Sequence, residues 1–384
     1  ALYGYRTAFL HSFVQGADEF DHLFQQRAFQ KSCGQGGEAS PRGLDAAGNQ
    51  LPYIDRVEIP VVADIEAATI KITAGEVDLA RRPVNNMNIP LYKQYAKEKG
   101  YRVLIQPTHV SLGEVFLNIT NQDPAWQEVV PDVRFRKALA MGIDRAKIID
   151  VVYLGLAEMP QTYLVPEFDP DQANAILDEI GMDKRDDEGF RLTPSGKRFE
   201  IRFELAPFTG EEIPIGEMVS KMWSENLGIR TSVKPFETGV WQAANAANEN
   251  HAFTWWSHYP RHPWHEPNDY VGLAWQTTYA PLWHQWWTSG GEEGAEPPEE
   301  YKQLRLLQEE MFRTPDLQRQ KEIWEEIKQN VTDNMWWIPI VDKVKQPIIW
   351  SADLGNVPEE GVAMTNAMAA PQIVYFKSEA RRSE

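Results

Sequence analysis

Chemistry-bearing side chains crowd into one stretch of this chain: seven of its 14 tryptophans and five of its eight histidines fall between His251 and Trp287. An indole presents an apolar face and a polar N–H edge, which suits recognition of a ligand that has both characters. Such faces stack on the C–H faces of sugar rings and on cations. Trp255, Trp256 and Trp264 are therefore candidates for stacking area, and His258, His265, Glu266 and Asn268 for the hydrogen bonds that fix a ligand's orientation. Trp283, Trp286 and Trp287 either extend that surface or cover a loop, whereas Trp336-Trp337, ahead of Ile338-Pro339-Ile340, reads as a core strand entering a hinge.

His258, His262 and His265 with Glu266 and Asp269 have the donor types of a zinc or nickel site. Pro260, Pro263 and Pro267 interrupt them, so the spacing follows no helix and no tight metal motif; a hydrogen-bonding loop without metal is expected. The chain lacks the nucleophile-elbow, phosphate-loop, dinucleotide and His-Glu-x-x-His patterns, and Cys33 has no histidine near it in a Gly-rich stretch. No cofactor and no catalytic residue is expected. An aromatic glycan cleft flanked by two carboxylates, as in a carbohydrate-active enzyme, is the alternative, because Glu and Asp are plentiful.

The elements that position these residues belong to a chain of 384, long enough for two lobes. Thirty-eight basic against 56 acidic side chains give a formal charge of -18, which excludes nucleic acid and anionic lipid and leaves small molecules or proteins as partners. No run approaches the ~18 apolar residues of a spanning helix. The single Cys33 excludes an intrachain disulfide. No basic stretch followed by an apolar one opens the chain at Ala1, so any signal peptide is expected to have been removed or to lie upstream.

Residues 31–50 are dense in Gly, Ser, Pro and Asn and read as an exposed loop. Alternation predicts a strand over 53–59, and Asp64 caps a helix that stops at Gly75. Strands follow at 103–106 and 115–118, and Asp132 and Asp144 cap two more helices. A short helix over 171–180, a hairpin about Pro194-Ser195-Gly196-Lys197, a helix from Ile215 to Gly228 and a strand at 229–233 continue an α/β pattern. Two amphipathic helices, through Leu304, Leu307 and Met311 and then through Leu317, Trp324, Ile327 and Val331, come before the final strands.

Three segments in this order resemble the oligopeptide, dipeptide and nickel solute-binding proteins known as family 5. They are Gly48 to Asp55 (GNQLPYID) with Thr73 to Leu79 (TAGEVDL); Asp132 to Ala140 (DVRFRKALA) with Ile143-Asp144-Arg145; and Leu354 to Pro358 (LGNVP). The resemblance implies an α/β, periplasmic-binding-protein-like two-lobed fold of the class with an extra subdomain. Residues 1–122 and 342–384 then belong to the first lobe, which is incomplete, and 123–341 to the second; residues 1–47 depart from the family pattern. It also implies a monomeric periplasmic receptor that captures a peptide-like or oligosaccharide-like solute and docks on the membrane subunits of an ABC importer. In the family's oligopeptide binders an acid pairs with the peptide's α-ammonium. His258 stands at the equivalent position here, and a neutral imidazole supplies no fixed negative charge.

Overall fold

The structure is a computed structural model describing residues 53–54, 57–62, 64–81, 84–108, 110–206, 210–258, 279–361 and 374–377. Cys33 and the Gly-rich stretch at 31–50 lie outside them. Contacts divide the chain into two compact units, Ala1–Glu58 with Pro371–Tyr375, and Ile59–Ala370 with Phe376–Glu384. In the first, the rings of Tyr53 and Tyr375 meet edge to face at 5.7 Å. All the elements below belong to the second.

Helix α1 (Ile65–Ala74) starts where the Asp64 carboxylate accepts the N–H of Ala67 and ends at Gly75. Strand β1 (Leu79–Ala80), helix α2 (Ile89–Lys99) and strand β2 (Tyr101–Pro107) follow. Late in the chain, β8 (Lys345–Ser351) runs between β1 and β2, antiparallel to both. Where described, at 53–54 and 57–59, the alternating segment is not in a strand. Val57 and Ile59 are exposed, and a strand needs a partner's ladder as well as a pattern.

The larger sheet has the order β5–β4–β6–β3–β7 in this numbering: β3 (Val110–Leu117), β4 (Ile201–Leu205), β5 (Thr231–Pro235), β6 (Ala252–His258) and β7 (Trp337–Ile338). Strands β4 and β5 run parallel, whereas β3 is antiparallel to β6 and β7. Sheet membership changes between Pro107 and Val110, because β3 pairs with β6. It changes back between Ile338 and Lys345. Across that passage the Thr108 N–H donates to the Val344 carbonyl at 2.9 Å.

Side chains alternate between the two faces of the sheet. Val115, Leu117 and Ala252 join one core with α3 (Val133–Met141), α4 (Arg145–Val152), α5 (Pro170–Glu179) and α6 (Glu212–Leu227). Phe116, Phe253, Trp255 and Trp337 join a second core on the other face. Its helices are α7 (Thr238–Ala246), α9 (Glu299–Arg313) and α10 (Leu317–Asn334), with α8 (Pro281–Thr288) beside them.

Asp132 and Asp144 cap α3 and α4 by accepting the N–H groups of Arg134 and Lys147. At Gly113 the β3–β6 register shifts between Leu112 and Glu114. A Cβ there would lie 2.1 Å from Ile215 Cδ1, and φ is +105°, so glycine alone suits this bulge. Among the described residues no helix is long and apolar enough to cross a membrane.

Candidate ligand-binding site

Strand β6 carries the aromatic run toward its C-terminal end, and the structure separates residues that the sequence grouped together. Trp255 is 1% exposed, and its ring lies on that of Trp241 with centroids 4.7 Å apart and planes 8° from parallel. Trp241 packs edge-on against Phe253, and Phe253 stacks on Phe116. This is core packing, with the Trp255 ring inside the second core. Trp336 and Trp337 are likewise buried, at 3% and 2% exposed, as their position ahead of a hinge strand suggested. Trp283 packs partly buried against the same core. Trp255 and, in part, Trp283 therefore belong to the interior of the face that carries α7, α9 and α10.

Residues Trp256, Ser257 and His258 continue β6 in register with Leu112, Ser111 and Val110. Trp264, His265, Glu266 and Asn268 fall outside the described residues, as do His262 and Asp269. Among the described residues no cluster of His, Cys, Asp or Glu could hold a metal ion.

Beside this part of β6 lies a set of buried polar groups that sequence reasoning missed. Glu114, opposite Trp255 in the ladder, is 2% exposed, and its Oε2 accepts the Ile340 N–H at 3.1 Å. Glu211 and Glu212, at the start of α6, are 0% and 1% exposed. Thr254 Oγ1 donates to the Glu212 carbonyl at 2.7 Å, and Glu212 Oε2 accepts the Gly210 N–H. Burial, then the charges of Glu211, Glu114 and Glu212, push the Tyr153 hydroxyl's pKa well above its usual value. Arg145 donates from Nε to the Pro339 carbonyl and from Nη1 to that of Ala140; burial lowers its pKa to about 10, and Glu114 opposes the shift. Three carboxylates, a phenol and a guanidinium thus converge from β3, α4 and α6 in the interior. One sequence signal was available: Glu114 is the lone charge in VSLGEVFL.

At the start of β6, His251 is 4% exposed, with its ring centroid 4.4 Å from that of Trp126. Its backbone N–H donates to Glu204 Oε2 at 2.8 Å. Burial, and next the Arg202 charge, hold its pKa down at about 4, against Asp123 and Glu200, which favour the charged form. The unfolded chain takes up this proton near pH 6.5 and the folded chain only near 4. Stability from the neutral imidazole is therefore complete above 6.5 and is lost as pH falls to 4, on the order of 3 kcal/mol in all. Burial raises the Glu204 carboxyl's pKa, so protonating Glu204 offsets part of that loss. Denaturant midpoints are expected to fall between pH 6.5 and 4 and to fall less in His251→Phe. An equal fall in both proteins would place the sensitivity elsewhere.

Comparison with known proteins gives these arrangements a family. Residues 46–278 match the family described as bacterial extracellular solute-binding proteins, family 5, middle. The periplasmic alpha-galactoside-binding protein of Rhizobium meliloti is 25% identical over 248 residues, which are 56% of this chain and 34% of that protein. A probable ABC transporter-binding protein of Deinococcus radiodurans is 26% identical over 173 residues, 41% of this chain and 29% of its own length. Among solved structures, the oligopeptide-binding protein OppA superposes with a TM-score of 0.59 at 27% identity, covering 86% of this chain and 58% of that one. MelB from Agrobacterium fabrum, in complex with stachyose, gives 0.68 at 15% identity, covering 88% and 53%. The chain thus spans about a third of these two curated relatives and between a half and three-fifths of these two solved chains. These solved relatives are two-lobed periplasmic binding proteins, and the α/β fold is theirs. With more than half of its 384 residues matched, the chain belongs to family 5 of the bacterial extracellular solute-binding proteins.

Proposed function

We propose that the chain is the solute-capturing component of an ABC importer, working outside the cytoplasmic membrane as a monomer and returning its ligand chemically unchanged. The observation that carries this is the family match, which runs from residue 46 to residue 278 and so includes the whole of β6 and the aromatic stretch behind it up to that point. Closure of two lobes on the solute, followed by docking on membrane subunits, is the working cycle that this implies.

The ligand class we favour is an oligosaccharide, with a peptide as the second reading. Relatives support both: one is an alpha-galactoside-binding protein and MelB is bound to stachyose, whereas OppA is an oligopeptide-binding protein. His258, at the position where the resemblance expects an acid, tips the choice, because an uncharged sugar needs no counter-charge. Trp256 and Trp264 are proposed to stack on sugar rings, with His258, His265, Glu266 and Asn268 hydrogen-bonding hydroxyls. The buried Trp255 holds the strand in place and is not proposed to touch the solute.

The test is to incubate the protein with stachyose, or separately with a tetrapeptide, and to follow binding by calorimetry and the ligand by chromatography. Binding with full recovery of intact ligand is expected. Steady hydrolysis of the glycan would replace the transport reading with that of a carbohydrate-active enzyme.

A further inference from the structure

Helix α9 carries a buried arginine that makes no salt bridge among the described residues. Arg305 is 4% exposed, and its Nε and Nη1 are buried with no acceptor among the described residues. Its guanidinium carbon lies 5.3 Å from the centre of the Trp287 ring on α8. The carboxylate with which it interacts, Glu309 one turn along α9, is bound to Arg313 at 3.1 Å. Lys302, the next cation on α9, is held by Glu296 and Glu299 over the Trp286 ring.

Two further buried polar groups nearby have no partner among the described residues. The Tyr279 hydroxyl is buried with no partner, on a residue 0% exposed, and His284 Nδ1 on α8 is also buried without one. Tyr279 packs edge-on against Tyr301, one turn before Arg305 on α9, with ring centroids 6.3 Å apart, and His284 lies one turn before Trp287, the ring beside the guanidinium, on α8. Leaving an arginine and its neighbouring donors buried without acceptors is costly, of the order of a lost charged hydrogen bond for each. An anion would satisfy all three groups together. The single formal charge matches a monoanion better than a phosphate dianion, and a guanidinium is matched geometrically by a carboxylate.

The loop after α8 fixes this arrangement. The Ala295 N–H donates to the Leu282 carbonyl, and a Cβ on Gly294 (φ +80°) would lie 2.2 Å from that same oxygen. Helix α8 is thereby pinned where Trp287, half-buried, covers the guanidinium.

We propose that the Arg305 cluster between α8 and α9 is a binding site for a small carboxylate. Arg305 supplies the charge, Tyr279 an O–H and His284 an N–H, with Trp287 as the covering ring. The inference does not rest on the transport reading, and failure of either leaves the other standing.

The test titrates the protein with sodium acetate at constant ionic strength, following tryptophan fluorescence and the thermal midpoint. A saturable response with a Kd of ~1 mM or tighter is expected. It should weaken about tenfold or more in Arg305→Gln and several-fold in Tyr279→Phe, as expected for losing a charged and a neutral hydrogen bond. Should Arg305→Gln not fold, Trp287→Phe carries the test: its fluorescence response should shrink while the thermal shift persists. No saturable response up to about 50 mM would overturn the site, since that is weaker than one charged contact provides. An identical response in Arg305→Gln, or one that sodium chloride reproduces, would also overturn it.

Discussion

Arg136→Met is expected to lose about 3–5 kcal/mol of stability, although the substituted side chain is of similar length and apolar. Arg136 is 2% exposed in α3, and its three nitrogens donate to four carbonyls. Nε reaches Met335 at 3.0 Å, Nη1 reaches Val130 and Pro131 at 2.7 and 2.9 Å, and Nη2 reaches Asn334 at 2.6 Å. Its carbon also lies 5.6 Å from the centre of the Trp336 ring. Burial lowers its pKa to about 10, which still leaves it charged at neutral pH. The cation therefore ties the start of α3 to the C-terminal end of α10, where unsatisfied carbonyls and the helix dipole favour positive charge. Met would strand those acceptors, and Arg136→Lys would keep the charge without the planar fork, recovering part of the loss. Urea denaturation measures it; an unchanged midpoint in Arg136→Met would show that water replaces the guanidinium at no cost.

Trp255→Ala should be comparably severe, about 3–5 kcal/mol, because it empties a ring-sized volume from the second core. The ring stacks on Trp241, and that pair continues through Phe253 and Phe116 to Trp337. Trp255→Phe should retain part of the packing and lose less. If Trp255 were a solute contact instead, its replacement by Ala would weaken binding and leave the denaturant midpoint unchanged; that pair of results would return the residue to the ligand surface.

These two residues show what was legible in the sequence. Caps could be read because their chemistry is local: Asp64, Asp132 and Asp144 each bond an N–H two or three residues ahead. Arg136 and Arg145 stand in the DVRFRKALA and IDR segments that carried the family resemblance, but their acceptors lie up to about 200 residues away in sequence. No local pattern discloses that. The face on which a tryptophan of β6 lands depends on register with β3 and on helices contributed much later, so Trp255 looked the same as Trp256 in the sequence. Glu114, Glu211 and Glu212 are brought together only once β3 and α6 pack about Tyr153. The described part of 53–59 shows the converse: its pattern was present, and no partner strand pairs with it among the described residues.

The most direct test of solute capture is a thermal-shift screen of the protein against galactosides, glucosides, di- to pentapeptides and Ni²⁺. A ligand bound only by the folded state raises the midpoint by mass action, equivalent to about 2.7 kcal/mol at a hundredfold excess over Kd. A rise with an oligosaccharide, and none with peptides, is the predicted result. A rise with peptides alone would contradict the oligosaccharide assignment and the role given to His258, and no rise with any of them would contradict solute capture by this chain.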